Sequence, residues 1–242
     1  MGKKIIRVIA VVLIPVVCLY LLTLLLTPKY VNDIPEGSMI AEYYKSEKNN
    51  DVLILGDCEV YENISTVKMW EEYGITSYIR GSSEQLIWQS YYLLEDTLKH
   101  ETPKVVVLSM LAMSEADAKS EAYNRMTLDG MRWSKSKWNS IKESMTEKET
   151  MGSYIFPLLR YHSRWSELSS DDIKYMFNKP KVTSNGYLMQ VGVRPVTTVP
   201  KVSPLANYTF SDRNYEYLDK IKDLCNEKGI KLVPVSYTHL RA

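Results

Sequence analysis

Three cysteines in 242 residues are too few for a disulfide framework. Neither they nor the three histidines fall at the paired spacing of a zinc site, so no metal is implied. There is no glycine-rich phosphate loop and no internal repeat. The eighteen tyrosines are too dispersed to form a base-stacking platform. Charge of neither sign prevails, since 30 cations and 29 anions leave a net +1. Lys3, Lys4 and Arg7 belong to the start of the chain, and without them 27 cations face 29 anions, which excludes a general basic surface for nucleic acid. What remains is a globular composition, 45% hydrophobic and 24% charged with ten Gly and ten Pro. Collagen-like, disordered and coiled-coil classes are excluded. The length suits one α/β domain or two small ones.

From Val8 to Thr27 the chain carries no charge and is dominated by Val, Leu and Ile. About 20 apolar residues, at ~1.5 Å each, span a hydrocarbon core of ~30 Å. Pro15 is tolerable within such a helix. The run is longer than a signal-peptide core, and Leu26-Thr27-Pro28-Lys29 has no small-x-small cleavage site. Residues 1–27 are therefore expected to be a retained membrane anchor, with Cys18 an apolar residue inside it. Lys3, Lys4 and Arg7 assign the short N-terminal side to the cytoplasm, and the rest faces outward.

Residues 28–50, polar and broken by Pro28, Pro35 and Gly37, read as a stalk. A strand-helix alternation follows. Val52-Leu53-Ile54-Leu55 is a short apolar run ending at Gly56, as for a strand buried on both faces. Ser65 caps a helix carrying Val67, Trp70 and Tyr73, which Gly74 stops. Ile75–Ile79 is the next strand. Ser82 and Gln85 form a capping-box pattern for a helix with Ile87, Tyr91, Leu94 and Leu98 on one face. Pro103 interrupts, and Val105–Leu108 is a third buried strand. This order predicts a parallel sheet. Residues from about 114 to 210 break the rhythm with helical stretches, such as one opened by Thr146-x-x-Glu149, and a segment holding Pro180, Pro195, Pro200 and Pro204. They are expected to form an insertion at the C-terminal edge of the sheet. Ser211, Leu218, Ile221, Leu224 and Gly229 then outline a last helix before a strand from Ile230 to Val233.

The terminal octapeptide Val235-Ser236-Tyr237-Thr238-His239-Leu240-Arg241-Ala242 corresponds to the translation of GTC TCT TAT ACA CAT CTC CGA GCC, which resembles transposase-type sequencing-adapter read-through. Residues 235–242 are accordingly expected to be non-native, and His239 is kept out of every site argument.

The chemistry-bearing residues are Gly56-Asp57-Cys58-Glu59. A nucleophile at the tip of a parallel strand, just before a helix, gains from the positive helix end and from nearby amides for a developing oxyanion. Open parallel sheets carry their sites at this edge. Ile54-Leu55-Gly56-Asp57-Cys58-Glu59-Val60-Tyr61 resembles the first block (Gly-Asp-Ser) of the SGNH, or GDSL-type, hydrolase superfamily. Within it the chain is similar to membrane-anchored, outward-facing members of low-GC Gram-positive bacteria, distantly so to the D-alanine transfer proteins of teichoic acid metabolism. Trp70–Gly81, Pro103–Leu108 and Phe156–Trp165 fit the same resemblance, which spans residues 51–233.

The resemblance implies a three-layer α/β/α sandwich with a parallel sheet over residues 51–234, behind one transmembrane helix. Cys58 stands at the nucleophile position and Asp57 orients its turn. Gly81 matches the second-block glycine, an oxyanion donor. The third-block asparagine is missing or replaced, since Ser109-Met110-Leu111-Ala112 stands where the family has it, just after the third strand. The Asp-x-x-His block, which follows a fifth strand in the family, is absent from these residues, as expected of a C-terminally truncated domain. The implied activity is an esterase or acyl-transfer protein working on cell-envelope glycopolymers, polysaccharide or teichoic-acid-like, with no cofactor. The alternative is a catalytically inactive surface binding module.

Cys58 itself admits three readings. A thiol of pKa ~8.5, lowered by a helix N-terminus, forms an acyl-thioester as in Cys-His hydrolases. The site is otherwise silent, or the cysteine structural; a disulfide to Cys225 is disfavoured because Cys225 lies on the apolar stripe of its helix. Arg160-Tyr161-His162-Ser163-Arg164-Trp165 brings two guanidiniums to one helix face, where they hold an anionic group of a polymer or simply face solvent. Arg160, His162 and Arg164 are thus candidate substrate-binding residues. His100 suits a helix C-terminus.

Overall fold

The computed structural model describes residues 2–29, 38–189 and 209–236, with only the backbone for residues 2–6, 8 and 10. It is an α/β fold. Four strands, β1 (Val52–Gly56), β2 (Ser77–Gly81), β3 (Val105–Ser109) and β4 (Lys231–Val235), form one parallel sheet among the described residues in the order β2-β1-β3-β4. In chain order the helices are α1 (Gly2–Leu26), α2 (Met39–Glu42), α3 (Cys58–Asn63), α4 (Thr66–Tyr73), α5 (Ile87–Thr97), α6 (Glu121–Leu128), α7 (Lys135–Ser144), α8 (Met151–Ile155), α9 (Leu158–Tyr161), α10 (Ser170–Lys174) and α11 (Asp212–Glu227).

Alternation along β1 explains why helices flank both faces. Leu53 and Leu55 join a core with Leu93 and Leu94 of α5 and Ile221 and Cys225 of α11. Val52 and Ile54 point the other way, into a core with Val60 and Tyr61 of α3 and Ile79 of β2. A continuous apolar run is required when side chains of both parities are buried. Local signals act as expected at several ends. Ser65 Oγ accepts from the Lys68 amide at 3.2 Å, and Gly74 closes α4 at φ +64°. Ser211 Oγ accepts from the Asn214 amide at 3.2 Å, and Gly229 follows α11 at φ +67°.

On α4, Val67, Trp70 and Tyr73 are exposed, Trp70 at 59%, while Met69 packs inward. Other expectations are revised. Ser82 and Gln85 bond each other (3.2 Å) instead of capping α5, which begins later, where Gln89 Oε1 accepts from the Leu86 amide at 3.1 Å. β4 extends beyond Val233 to Val235, which pairs with Ser109. His239 lies outside the described residues. Residues 38–50 are not a free stalk, because Met39, Ile40 and Tyr43 are buried. The insertion does not simply cover the strand tips either. α6 and α7 pack beside α5, tied by Gln89 Nε2 to Asn124 Oδ1 (3.1 Å) and Asn124 Nδ2 to Glu149 Oε2 (3.0 Å). The chain then runs along the outer edge of β2, where the Ile79 amide donates to the Asn185 carbonyl at 3.0 Å, covering an edge that would otherwise be open. The proline segment from 190 to 208 lies outside the described residues.

No helix among the described residues is long and apolar enough to cross a membrane. In α1 the uninterrupted run of described side chains begins only at Val11. The C-terminal end of α1 is held by cations, as suits unpaired carbonyls. Lys29 Nζ donates to the Leu24 carbonyl at 2.6 Å, and an Arg164 guanidinium nitrogen donates to the Leu26 carbonyl at 2.7 Å.

Under β2 lies a fully buried guanidinium. Arg80 is 0% exposed and Asp96 2%. Both terminal nitrogens of Arg80 reach Asp96 Oδ2 at 3.2 Å, one donates to Thr97 Oγ1 at 2.8 Å and the other to Tyr44 Oη at 3.1 Å. The Tyr43 ring lies 4.2 Å from the guanidinium carbon. The polar-looking segment docks here because its two tyrosines complete the shell of this cation. Removing one partner of a buried pair strands the other charge. Asp96→Ala should therefore lose about 3–5 kcal/mol in urea denaturation, and the double change Arg80→Met, Asp96→Leu distinctly less.

Candidate functional site

The sheet order reverses direction between β1 and β3, and open parallel sheets form their binding crevices outside the strand carboxyl ends at that point. Gly56 ends β1 there at φ +154°, and a Cβ on it would lie 2.5 Å from the Ser109 Cβ across the crevice. Only glycine meets both constraints. Gly81, its register partner on β2, is equally confined, since a Cβ there would come 2.9 Å from the Gly56 carbonyl oxygen. That carbonyl also takes the Ser82 amide at 3.3 Å.

Asp57 follows as the N-cap of α3. Its Oδ1 accepts from the Glu59 amide at 3.1 Å, and its carbonyl accepts from the Val60 amide at 3.2 Å. Asp57 thus orients the turn on which Cys58 sits. Cys58 opens α3 and is exposed, whereas Cys225 lies on α11, buried in the core with Leu93 and Leu94 of α5; both are free thiols. Ser109, completely buried, occupies the end of β3 and its Oγ accepts from the Leu111 amide at 3.3 Å.

The electrostatics oppose the expected thiol activation. Burial raises the Asp57 carboxyl from 3.8 to about 6, with Glu59 and Glu84 adding to it against the bond from the Glu59 amide. Cys58 reaches solvent on one side but is crowded on the other. Desolvation first, then the charges of Asp57 and Glu62, push its thiol up to about 11. A six-residue helix supplies too little positive field to reverse this. Glu84 is a site residue that spacing did not suggest. It sits at φ +54°, ion-paired with Lys119 at 2.7 Å, and the only local signal was the polar run Ser82-Ser83-Glu84 after a strand glycine.

No histidine bonds the thiol among the described residues. His100 packs edge-on against Tyr44, centroids 6.0 Å apart, where α5 leads toward the start of β3, at the opposite edge of the sheet. His162 Nδ1 lies 3.2 Å from the Leu158 carbonyl. Arg160 and Arg164 stand on different elements, α9 and the 3-10 turn His162–Glu167. Arg160 is paired with Glu121 at 2.8 Å and Arg164 with Asp172 at 2.8 Å. No group of three metal-ligating side chains occurs among the described residues.

Two measurements follow from Asp57. With the thiol near 11, iodoacetamide alkylation of Cys58 at pH 8 should run at about a thousandth of its fully ionised rate and climb about tenfold per pH unit. Asp57→Asn keeps the cap and removes the charge, so alkylation at pH 8 should rise severalfold. The same variant bears on stability. A carboxyl whose folded pKa is raised favours the fold while protonated, and that contribution is lost as pH climbs through about 6. Asp57→Asn should thus be more stable than the parent at pH 8 by about 1–2 kcal/mol, the gap closing between pH 6 and 4. A flat pH dependence would refute the burial cost.

No protein-family model, curated protein or solved structure matches this chain, so the reading of the site rests on its residues and their geometry.

Proposed function

We propose that the chain is a membrane-anchored, outward-facing SGNH-like protein of the three-layer α/β/α kind, acting as an esterase or acyl-transfer protein on cell-envelope glycopolymers. The observation that carries this reading is the exposed Cys58 thiol, second residue after a glycine-ended strand and first of α3, at the point where the sheet order reverses. The Cys58 sulfur attacks an ester carbonyl carbon, forming the S–C bond. The Cys58 and Gly81 amides hold the oxyanion, and collapse breaks the C–O bond and releases the alcohol. Water or a polymer hydroxyl then takes the acyl group from the thioester, and the thiol recovers its proton. Because the thiol holds its proton tightly, the step requires a base; the resemblance assigns that role to the histidine of an Asp-x-x-His block after a fifth strand.

The alternative, a binding module without turnover, is favoured by one specific observation: the acids beside Cys58 oppose ionisation and no described histidine bonds it. Turnover of p-nitrophenyl acetate decides between them, measured on membranes carrying the protein expressed from its genomic locus. Abolition by Cys58→Ala is the expected result. Unchanged turnover removes the nucleophile assignment, and a gain on Cys58→Ser marks a serine site that has lost its hydroxyl.

The anchor reading is supported by the charge-free run Val8–Thr27 and by the exposure of its side chains, Val11 at 71% and Ile14 at 62% among them. Such a surface in water would be an aggregation liability. The protein should stay in the membrane pellet after an alkaline carbonate wash and be released by deletion of residues 2–27. Release of the intact chain would refute the anchor.

A further inference from the structure

A cavity of about 430 Å³ opens between residues 38–46 and residues 176–181, and no residue of the Gly56–Cys58 turn lines it. Its volume falls in the range of small-molecule sites. Three ammonium groups line it, Lys45, Lys179 and Lys181, and none of them forms an ion pair among the described residues. Lys45 Nζ reaches Asn178 Oδ1 at 3.1 Å, an uncharged acceptor. The carboxylate in the wall, Glu42, is already occupied. One oxygen accepts from the Val182 amide at 2.6 Å, and the other from the amide (3.1 Å) and hydroxyl (2.5 Å) of Thr183. The cavity therefore carries more positive than negative charge, three ammonium groups against the Glu42 carboxylate in its wall and Asp129, whose charge acts on Lys179, which makes it the electrostatic complement of a phosphate.

The remainder of the wall is apolar. Ala41, Met176, Phe177 and Pro180 border the same space, and Phe177 is 73% exposed at its rim. A bare anion would leave that wall in contact with water; an anion joined to a hydrocarbon segment would cover it. The cavity also sits where the chain leaves α1, since Ser38 of its lining donates to the Lys29 carbonyl at 3.2 Å. We propose that this cavity binds the phosphate headgroup of an anionic amphiphile from the membrane surface, with Lys45, Lys179 and Lys181 on the phosphate and Met176 and Phe177 on the adjoining hydrocarbon. The membrane origin of the ligand rests on reading α1 as an anchor; the cavity and its chemistry do not.

The test uses the full chain in neutral maltoside micelles, with hexyl phosphate, inorganic phosphate and hexyl glucoside as probes in isothermal titration. Hexyl phosphate should bind more tightly than either of the others, and more weakly as salt rises. The triple change Lys45→Gln, Lys179→Gln, Lys181→Gln should weaken it at least about tenfold, whereas Lys220→Gln, Lys222→Gln, Lys228→Gln on α11 should not. Phe177→Ala, at an exposed position that tolerates truncation, should bring hexyl phosphate down toward inorganic phosphate. Binding that survives the lysine triple, or equal affinity for hexyl glucoside, overturns the proposal. Equal affinity for inorganic phosphate overturns the amphiphile. Cys58→Ala should leave this binding unchanged, so a failure of the proposed chemistry and a failure of the cavity are separate results. A chain washed from membranes that still binds hexyl phosphate loses the anchor and keeps the cavity.

Discussion

A positive charge with no access to water organises the first half of this fold. Arg80 points from β2 beneath the sheet, and everything that neutralises it comes from elsewhere: Asp96 and Thr97 from α5, Tyr43 and Tyr44 from the segment after α1. An unpaired guanidinium in that position would cost several kcal/mol, so the partners are obligatory rather than decorative. Tyr43 in turn donates to Glu101 at 2.8 Å, which also accepts the Asn50 amide at 2.8 Å, and these contacts fix the chain at the entrance to β1. β1 sets the position of Gly56, and Gly56 sets that of Asp57 and Cys58. The site at one edge of the sheet is thus located by charges buried near the other.

The site shows how poorly geometry alone predicts reactivity. Its backbone plan is the one a nucleophile needs: a strand ending in glycine, a capping aspartate, a side chain at the lip of the crevice. Its charges point the other way, because Asp57, Glu62 and Glu84 all favour the protonated thiol. Ionisation at Cys58 therefore depends on a group able to remove the proton, and the two arginines proposed for substrate are already engaged by Glu121 and by Asp172 and α1. Three ammonium groups without a salt bridge among the described residues, Lys45, Lys179 and Lys181, stand elsewhere, around the cavity between residues 38–46 and 176–181. Acids outnumber cations around the thiol, and ammonium groups outnumber acids around the cavity beside the end of α1.

Much of the framework was legible residue by residue. The buried strands announced themselves as apolar runs, and Ser65, Gly74, Ser211 and Gly229 mark helix ends through hydrogen bonds spanning three or four positions. The misreadings share one cause. Residues 38–50 look polar because their tyrosines and acids are matched to partners 50 or more positions away. Ser82 and Gln85 have the spacing of a cap but bond each other and, through Ser82, Thr127.

Sequence by itself determined what depends on near neighbours: a charge-free run before the domain, strands alternating with helices, and a Gly-Asp-Cys turn at a strand tip. Only the tertiary structure decided which helix faces meet the sheet, where Arg80 finds its counter-charge, how strongly Cys58 keeps its proton, and that Arg164 closes the end of a helix 138 residues earlier. Hydrogen-bonded periodicity is written within a few residues, whereas desolvation and charge pairing depend on distant parts of the chain being brought to within a few ångströms.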